Sequence, residues 1–335
     1  MEPSISARFS EALIAEIAAR YGLERGQLSH LGGFDSLVFG FDRPDGRFVL
    51  RALRDPRRPL ALVRGELDWI DHLARNGVPA ARPVLSQRGN LIETISDGQG
   101  GDFLCVAFQR APGGEISRAH IEDPFFRSYG DLLGRMHAAT KTYAPGDPSW
   151  RRPDWDAPGA ISADIEMPPG QDEVMGIYRS LKERLRALPR GPESYGLIHT
   201  DVHVGNLTIA EDFSLSIFDF AECCYGHFIY DIATVVFYST GASDDPSEFI
   251  GHFMPPFLEA YRKHNRIDPA WLAELPRFLN LREIDLYAEF LSYRAAGGDA
   301  DGNEWRDEFL DGRKEKILAG QPYIDFDWPS LARHL

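Results

Sequence analysis

Asp201, Asn206 and Asp219 have the types and spacing suited to moving a phosphoryl group onto a hydroxyl. Two of them lie in the octet His199-Thr200-Asp201-Val202-His203-Val204-Gly205-Asn206. The third opens the pair Asp219-Phe220, thirteen residues further on. An acceptor hydroxyl must be oriented and must give up a proton, and Asp201 is the candidate catalytic residue for both. Mg²⁺ takes hard oxygen ligands, and the Asn206 amide and the Asp219 carboxylate are the candidate ligands.

Short elements must hold these groups. Leu197-Ile198 is an apolar run entering the octet. Residues 206–210 and 214–219 read as two strands, with Glu211-Asp212-Phe213 as the turn between them. Such a hairpin would carry Asn206 and Asp219 at matching ends, close enough to share a metal. Upstream, residues 9–21 carry a helical stripe that Gly22 closes. Residues 28–41 read as strand, glycine turn and strand, Pro44-Asp45-Gly46 as a hairpin turn, and 47–51 as the next strand. Residues 60–76 form a helical pattern with Leu62, Leu67, Ile70 and Leu73 on one side. Runs at 84–85, 91–94 and 103–108 complete a small, mostly antiparallel sheet. Beyond residues 111–114 the strands thin out. Helical patterns cover 125–140, 174–188, 246–264, 270–294 and 303–318, and another starts at Tyr230. The stretch 145–169, rich in Pro, Trp and Asp, reads as a long ordered loop. The expected organisation is an N-terminal lobe over 1–110 and a helical lobe over 111–335 that carries the catalytic loop and acceptor site.

Composition narrows the class. The 335 residues, 43% apolar and 12% aromatic, suffice for one large or two modest cores. There is no run of about 18 or more apolar residues and no basic-then-apolar start, so a cytoplasmic protein without a membrane span is expected. The three cysteines, Cys105, Cys223 and Cys224, are odd in number, match no zinc spacing and are expected to stay reduced. Residues 1–110 balance 14 arginines against 14 acids. Residues 111–335 therefore carry the whole net charge of −15. That excess argues against nucleic acid as a partner and would suit a cationic acceptor; a solvated acidic surface explains it equally well.

The octet, the Asp219-Phe220 pair and the two-lobe order resemble the aminoglycoside phosphotransferase and choline kinase superfamily, relatives of the protein kinases. The segment 218–233, from Phe218-Asp219-Phe220-Ala221-Glu222 to Tyr230-Asp231-Ile232-Ala233, looks like the metal-binding strand and following aspartate of its bacterial branch, which includes type II homoserine kinase and the stress-response Ser/Thr kinase. The resemblance implies an α+β fold, bilobal and protein-kinase-like, with a small antiparallel sheet in the first lobe and a mainly helical second lobe. It implies ATP and Mg²⁺ as cofactors, Asp201 as catalytic base, and Asn206 and Asp219 as Mg²⁺ ligands. It implies that Asp231 is a buried brace of the catalytic loop and that the His199 ring fixes the same loop. Glu222 would help a second metal or hold the loop. His203 would face the acceptor or pack under the hairpin.

The loop Gly32-Gly33-Phe34-Asp35-Ser36 would approach phosphate through backbone N–H groups and the Ser36 hydroxyl, with Asp35 turned away. Kinases hold phosphate with a strand lysine, yet this chain has no lysine before Lys141. Arg51 must substitute, with Glu66 as its helix partner. The strand over 103–108 followed by Gln109-Arg110-Ala111 resembles a hinge for adenine, which makes Gln109 and Ala111 candidate contacts. Arg282, Asp285 and Glu289 share one helix face. That face would line a polar acceptor cleft suited to a zwitterion, or would be a solvated face laced by ion pairs. Trp150 and Trp155 would wall the same cleft or anchor a long loop. The expected activity is ATP- and Mg²⁺-dependent phosphorylation of a hydroxyl on a small molecule: an amino alcohol, a hydroxy amino acid or an aminoglycoside. Protein Ser/Thr phosphorylation and a nucleotide-binding scaffold without turnover are the alternatives.

Overall fold

Ser10 opens the first helix by accepting the Leu13 N–H at 3.1 Å, a standard N-terminal cap. The helix, Glu11–Arg20 (α1), buries Leu13, Ile14, Ile17 and Ala18 on one face. The computed structural model describes residues 10–33, 36–55, 57–158, 160, 165–241, 243–297 and 303–335. Phe34 and Asp35 of the glycine loop, Phe9, and parts of the stretch 145–169 lie outside the described residues.

The chain divides into two units. The first comprises residues 1–113 with 144–151 and 216–218. Its strands are Ser29–Gly32 (β1), Ser36–Arg43 (β2), Gly46–Leu53 (β3), Pro83–Val84 (β4), Glu93–Ser96 (β5) and Asp102–Gln109 (β6). They form one antiparallel sheet in the order β1-β2-β3-β6-β4, with β5 also on β6. Alternation puts Phe39, Phe41, Phe48, Leu50, Ala52, Phe103, Cys105 and Ala107 into the core that α1 covers. Helix Leu60–Arg75 (α2) buries Val63, Leu67, Trp69, Ile70 and Leu73. Ile217 belongs to this unit because it exchanges backbone hydrogen bonds with Pro79 and Ala81, each 2.9 Å.

The second unit is mainly helical: Asp123–Thr140 (α3), Asp172–Arg186 (α4), then, after the octet 199–206, Phe228–Thr240 (α5), Pro246–Tyr261 (α6), Leu275–Ala295 (α7), Glu304–Leu310 (α8) and Arg313–Leu318 (α9). Strand Tyr195–Ile198 (β7) pairs antiparallel with Cys224–His227 (β10). Leu207–Ile209 (β8) and Leu215–Ile217 (β9) form a second two-stranded sheet. Among the described residues no helix is long and apolar enough to cross a membrane.

Several expected elements shift for physical reasons. Asn206 ends a 3₁₀ turn, Val204–Asn206, rather than opening a strand, because His203 caps that turn. The single helix expected over 270–294 is a 3₁₀ turn, Pro269–Glu274, followed by α7. The helix expected over 303–318 is interrupted at Asp311-Gly312. β10 was not anticipated. Its Cys-Tyr-Gly-His sequence has no alternation, and pairing with β7 supplies the order.

Helix α3 lies tightly on α6. A Cβ on Gly130 would fall 2.0 Å from the Phe257 carbonyl oxygen, and one on Gly134 would fall 2.6 Å from that of Tyr261. Only glycine permits that approach, which brings His137 of α3 onto Tyr261.

Candidate active site

A buried polar chain sets the shape of the catalytic octet. Asn265 donates to the Tyr261 hydroxyl at 2.6 Å, and that hydroxyl meets His137 Nδ1 at 2.8 Å. His137 Nε2 meets Asp231 Oδ2 at 3.1 Å. Asp231, fully buried, accepts the backbone N–H groups of His199 (3.0 Å) and Thr200 (2.7 Å). A buried carboxylate persists where hydrogen bonds compensate its lost hydration, and two N–H groups and a histidine do so here. Burial pushes the His137 pKa below the usual histidine value, which keeps the ring neutral against Asp231. Asp231 thus braces the loop as the resemblance implied. His137, Tyr261 and Asn265 were not anticipated: their spacing in sequence, 94 residues between His137 and Asp231, leaves no local signal.

The brace holds an awkward backbone. Thr200 has φ 67°, rare for a β-branched residue and worth roughly 1–3 kcal/mol of strain. Its hydroxyl reaches the carbonyls of His199 (2.6 Å) and Glu222 (3.0 Å), and its own carbonyl accepts from Thr234 Oγ1 (3.3 Å). Tyr129 donates to the Val202 carbonyl at 2.7 Å. His199 is buried with its ring against Phe220. Past the hairpin turn, Asp219 also adopts a left-handed conformation, φ 61°. Arg152, buried, donates to the Cys223 and Ala221 carbonyls, both at 2.7 Å, and fixes the backbone just beyond it. Trp155 is a core anchor, 1% exposed, while Trp150 lies in the first unit beside Arg64.

Asp201 is gripped from three sides. Its Oδ1 accepts from Arg282 Nη2 at 2.9 Å. Its Oδ2 accepts from Asn206 Nδ2 at 3.0 Å and faces His203 Nε2 at 3.3 Å. His203 Nδ1 takes the Gly205 N–H at 3.0 Å, so Nε2 carries the proton and points it at Asp201. His203 therefore sits against the Asp201 carboxylate. Burial alone would raise the Asp201 pKa. The His203 hydrogen bond and the Arg282 charge outweigh it and hold the group well below the usual carboxylate range. Asn206 Nδ2 also donates to the Asp201 carbonyl at 2.9 Å, which turns the amide nitrogen toward Asp201 and makes the amide oxygen the atom that could ligate a metal.

Arg282 and Asp285 correct the solvated-face reading. They are 3% and 6% exposed. Asp285 accepts the hydroxyls of Tyr178 (3.0 Å) and Tyr230 (3.2 Å), and Glu289 is half-buried. Arg282 also donates to the Tyr238 hydroxyl at 2.6 Å, and Tyr238 packs against the His203 ring. Tyr238 was missed because its helix, α5, is apolar nearly all round and shows no polar face.

In the first unit the sequence-derived nucleotide residues are arranged along the sheet. Gly32 and Gly33 have φ 112° and 125°, and a Cβ on Gly33 would fall 1.9 Å from the Ser36 carbonyl oxygen. Glycine is required there to close the loop. Ser36 is buried at the start of β2. Arg51 of β3 places Nη2 against both carboxylate oxygens of Glu66 on α2, at 2.8 and 2.7 Å, with its guanidinium over Phe108. Glu66 is buried, not a surface carboxylate. Gln109 is exposed at the end of β6, and Ala111 is buried just beyond it. The N–H groups of Gln109 and Arg110 are used within the unit, by the carbonyls of Arg82 and Arg47.

Residues 27–275 match the family described as phosphotransferase enzyme family. The chain is 32% identical to the amicoumacin kinase of Bacillus subtilis (strain 168) over 325 residues, 96% of each protein. The chain belongs to this phosphotransferase family. Its structure superposes on an amicoumacin kinase in complex with AMP-PNP, Ca²⁺ and Ami with a TM-score of 0.90, at 30% identity, covering 99% of this chain and 100% of that one. A microcompartment-associated aminopropanol kinase shares the fold, with a TM-score of 0.67 at 19% identity over 93% of this chain and 98% of that one. The protein-kinase-like α+β fold expected from the sequence is thereby established. As a member of the phosphotransferase family, this chain is a small-molecule kinase with an alcohol group as acceptor.

Proposed function

We propose that this phosphotransferase moves the γ-phosphoryl group of ATP, with a divalent cation, onto a hydroxyl of an amine-bearing small molecule of the amicoumacin type. The observation that carries this reading is the Asp201 carboxylate, fixed by Arg282, Asn206 and His203 beside a braced loop. Identity of 32% over nearly the whole chain to an amicoumacin kinase supports the acceptor. The acidic excess of residues 111–335 suits an amine.

Asp201 orients the acceptor hydroxyl and takes its proton. Arg282, Asn206 and His203 hold the carboxylate in place for that orientation, and proton transfer accompanies bonding to phosphorus. Among the described residues no cluster of three His, Cys, Asp or Glu side chains could hold a metal alone. An amide oxygen and a carboxylate are hard donors that fit Mg²⁺, which is held by one or two protein oxygens plus the phosphates of its nucleotide. Asn206 and Asp219 would supply the protein oxygens, and the bound cation would neutralise charge on the transferred group. Gly32, Gly33, Ser36 and the Arg51–Glu66 pair would hold the phosphates. Gln109 and Ala111 would border the base, with the Ala111 N–H as the donor to test.

The test is ADP release with amicoumacin A, L-homoserine, 3-aminopropan-1-ol and spectinomycin as acceptors, on the wild type and Asp201→Asn. Acceptor-dependent turnover is expected with amicoumacin A, at least about a hundredfold lower in Asp201→Asn, whose ATP binding stays within about twofold of wild type. No acceptor-dependent turnover in the wild type, or equal turnover in the variant, overturns the proposal.

A further inference from the structure

Arg282 is 3% exposed, yet only one of its three guanidinium nitrogens is used. Nη2 carries two hydrogens and has two acceptors, Asp201 Oδ1 at 2.9 Å and the Tyr238 hydroxyl at 2.6 Å. Nε and Nη1 are buried and hydrogen-bond to nothing among the described residues. A buried guanidinium with three unmatched N–H groups is expensive, and helix α7 could have placed a leucine there at no such penalty. Asp201 Oδ2 already faces two donors, Asn206 Nδ2 and His203 Nε2, whereas Oδ1 faces only Arg282. A carboxylate oxygen has two lone pairs, so an acceptor hydroxyl meets Asp201 at Oδ1, on the atom that Arg282 touches.

We propose that Arg282 recognises the acceptor. Nη2 fixes Asp201 while Nη1, its neighbour on the end of the guanidinium fork, donates to a second oxygen of the same molecule — hydroxyl, carbonyl or carboxylate — lying beside the hydroxyl to be phosphorylated. The substrate class is then an alcohol with a neighbouring oxygen, not a simple amino alcohol. This inference rests on the kinase reading above and adds to it the feature by which the site selects among alcohols.

The test separates recognition from support. Lysine keeps a charge for Asp201 but cannot fork to a second oxygen. Arg282→Lys is therefore expected to raise the KM for amicoumacin A at least about tenfold while holding kcat within a few-fold. Arg282→Met, which loses both roles, is expected to lower kcat at least about tenfold further. The KM for ATP should stay within about twofold in both variants. Calorimetric titration of amicoumacin A into the wild type and Arg282→Lys, with AMP-PNP present, should show the same loss of acceptor affinity. If Arg282→Met does not fold, the lysine variant and Tyr238→Phe decide; Tyr238→Phe frees one Nη2 hydrogen without touching Nε or Nη1 and should leave acceptor KM within about threefold. An unchanged acceptor KM in Arg282→Lys, with the wild type active, overturns the Arg282 assignment alone. An inactive wild type that binds none of the four acceptors overturns the kinase reading and this inference together.

Discussion

Each unit sets a buried arginine against a carboxylate of the expected site, Arg51 on Glu66 and Arg282 on Asp201, and these two pairs are built differently. In the first unit Arg51 chelates both Glu66 oxygens through one nitrogen, and the two side chains are 8% and 3% exposed. In the second, Arg282 shares one nitrogen between Asp201 and Tyr238, and Asp201 stays 25% exposed. The first carboxylate is closed: everything it can accept comes from its partner's side. The second is open, its carboxylate keeping a face exposed to solvent. A closed pair fixes geometry, whereas an open one keeps capacity for a reacting group.

The largest effect should come from breaking the closed pair on one side only. Arg51→Met strands the buried Glu66 carboxylate and is expected to destabilise the first unit by about 3–5 kcal/mol. Adding Glu66→Leu should recover most of that loss, because the charge is then gone. Arg282→Met leaves Asp201 in contact with water, Asn206 and His203, so a smaller loss of about 1–2 kcal/mol is expected. Urea unfolding, followed by hydrogen exchange resolved to each unit, measures all three. Equal losses for Arg51→Met and Arg282→Met would erase the distinction between closed and open pairs.

The two pairs were also unequally legible. Glu66 was readable because α2 has a clear apolar stripe and Arg51 was the cation on the expected strand. Arg282 was seen on a face with Asp285 and Glu289, but its burial was not. Helix α7 buries every residue from Leu281 to Ala288, so there is no stripe from which to read an inside and an outside. The hairpin followed from local spacing, and Asp231 from the family resemblance. The chain Asn265–Tyr261–His137 did not, since it exists only once α3 and α6 meet at Gly130 and Gly134. Tertiary contacts of that kind leave no trace in a window of a dozen residues.

Acid should separate the units further. His227 is fully buried among Tyr195, Trp271 and Phe278, and burial pushes its pKa down to about 4 from 6.5. The unfolded chain binds a proton near pH 6.5 that the folded chain refuses until about pH 4. Stability is thus fully present above pH 6.5 and declines as pH falls through that window, by on the order of 3 kcal/mol. His137, shifted the same way, adds to the slope. In the first unit the described histidines, His30 and His72, are exposed and half-buried. Unfolding at pH 7 and pH 4.5 should show a smaller acid loss in His227→Phe than in the wild type. An identical loss would place the acid sensitivity elsewhere.

The smallest contrast concerns backbone geometry. The first unit meets its left-handed positions in the loop with glycine, at Gly32 and Gly33. The second meets them with Thr200 and Asp219. Gly33→Ala introduces both strain and a Cβ against the Ser36 carbonyl, and should destabilise by about 1–3 kcal/mol while raising the KM for ATP severalfold. Thr200→Gly works in two directions. It releases strain of similar size but removes a hydroxyl that reaches the carbonyls of His199 and Glu222. The hydroxyl has one proton to share between them, a loss of about 1 kcal/mol, so the net change should lie within about 1 kcal/mol of zero. Melting temperatures of the two variants compare the terms directly. A loss in Thr200→Gly larger than that in Gly33→Ala would mean that side-chain hydrogen bonds, more than backbone conformation, give the catalytic loop its shape.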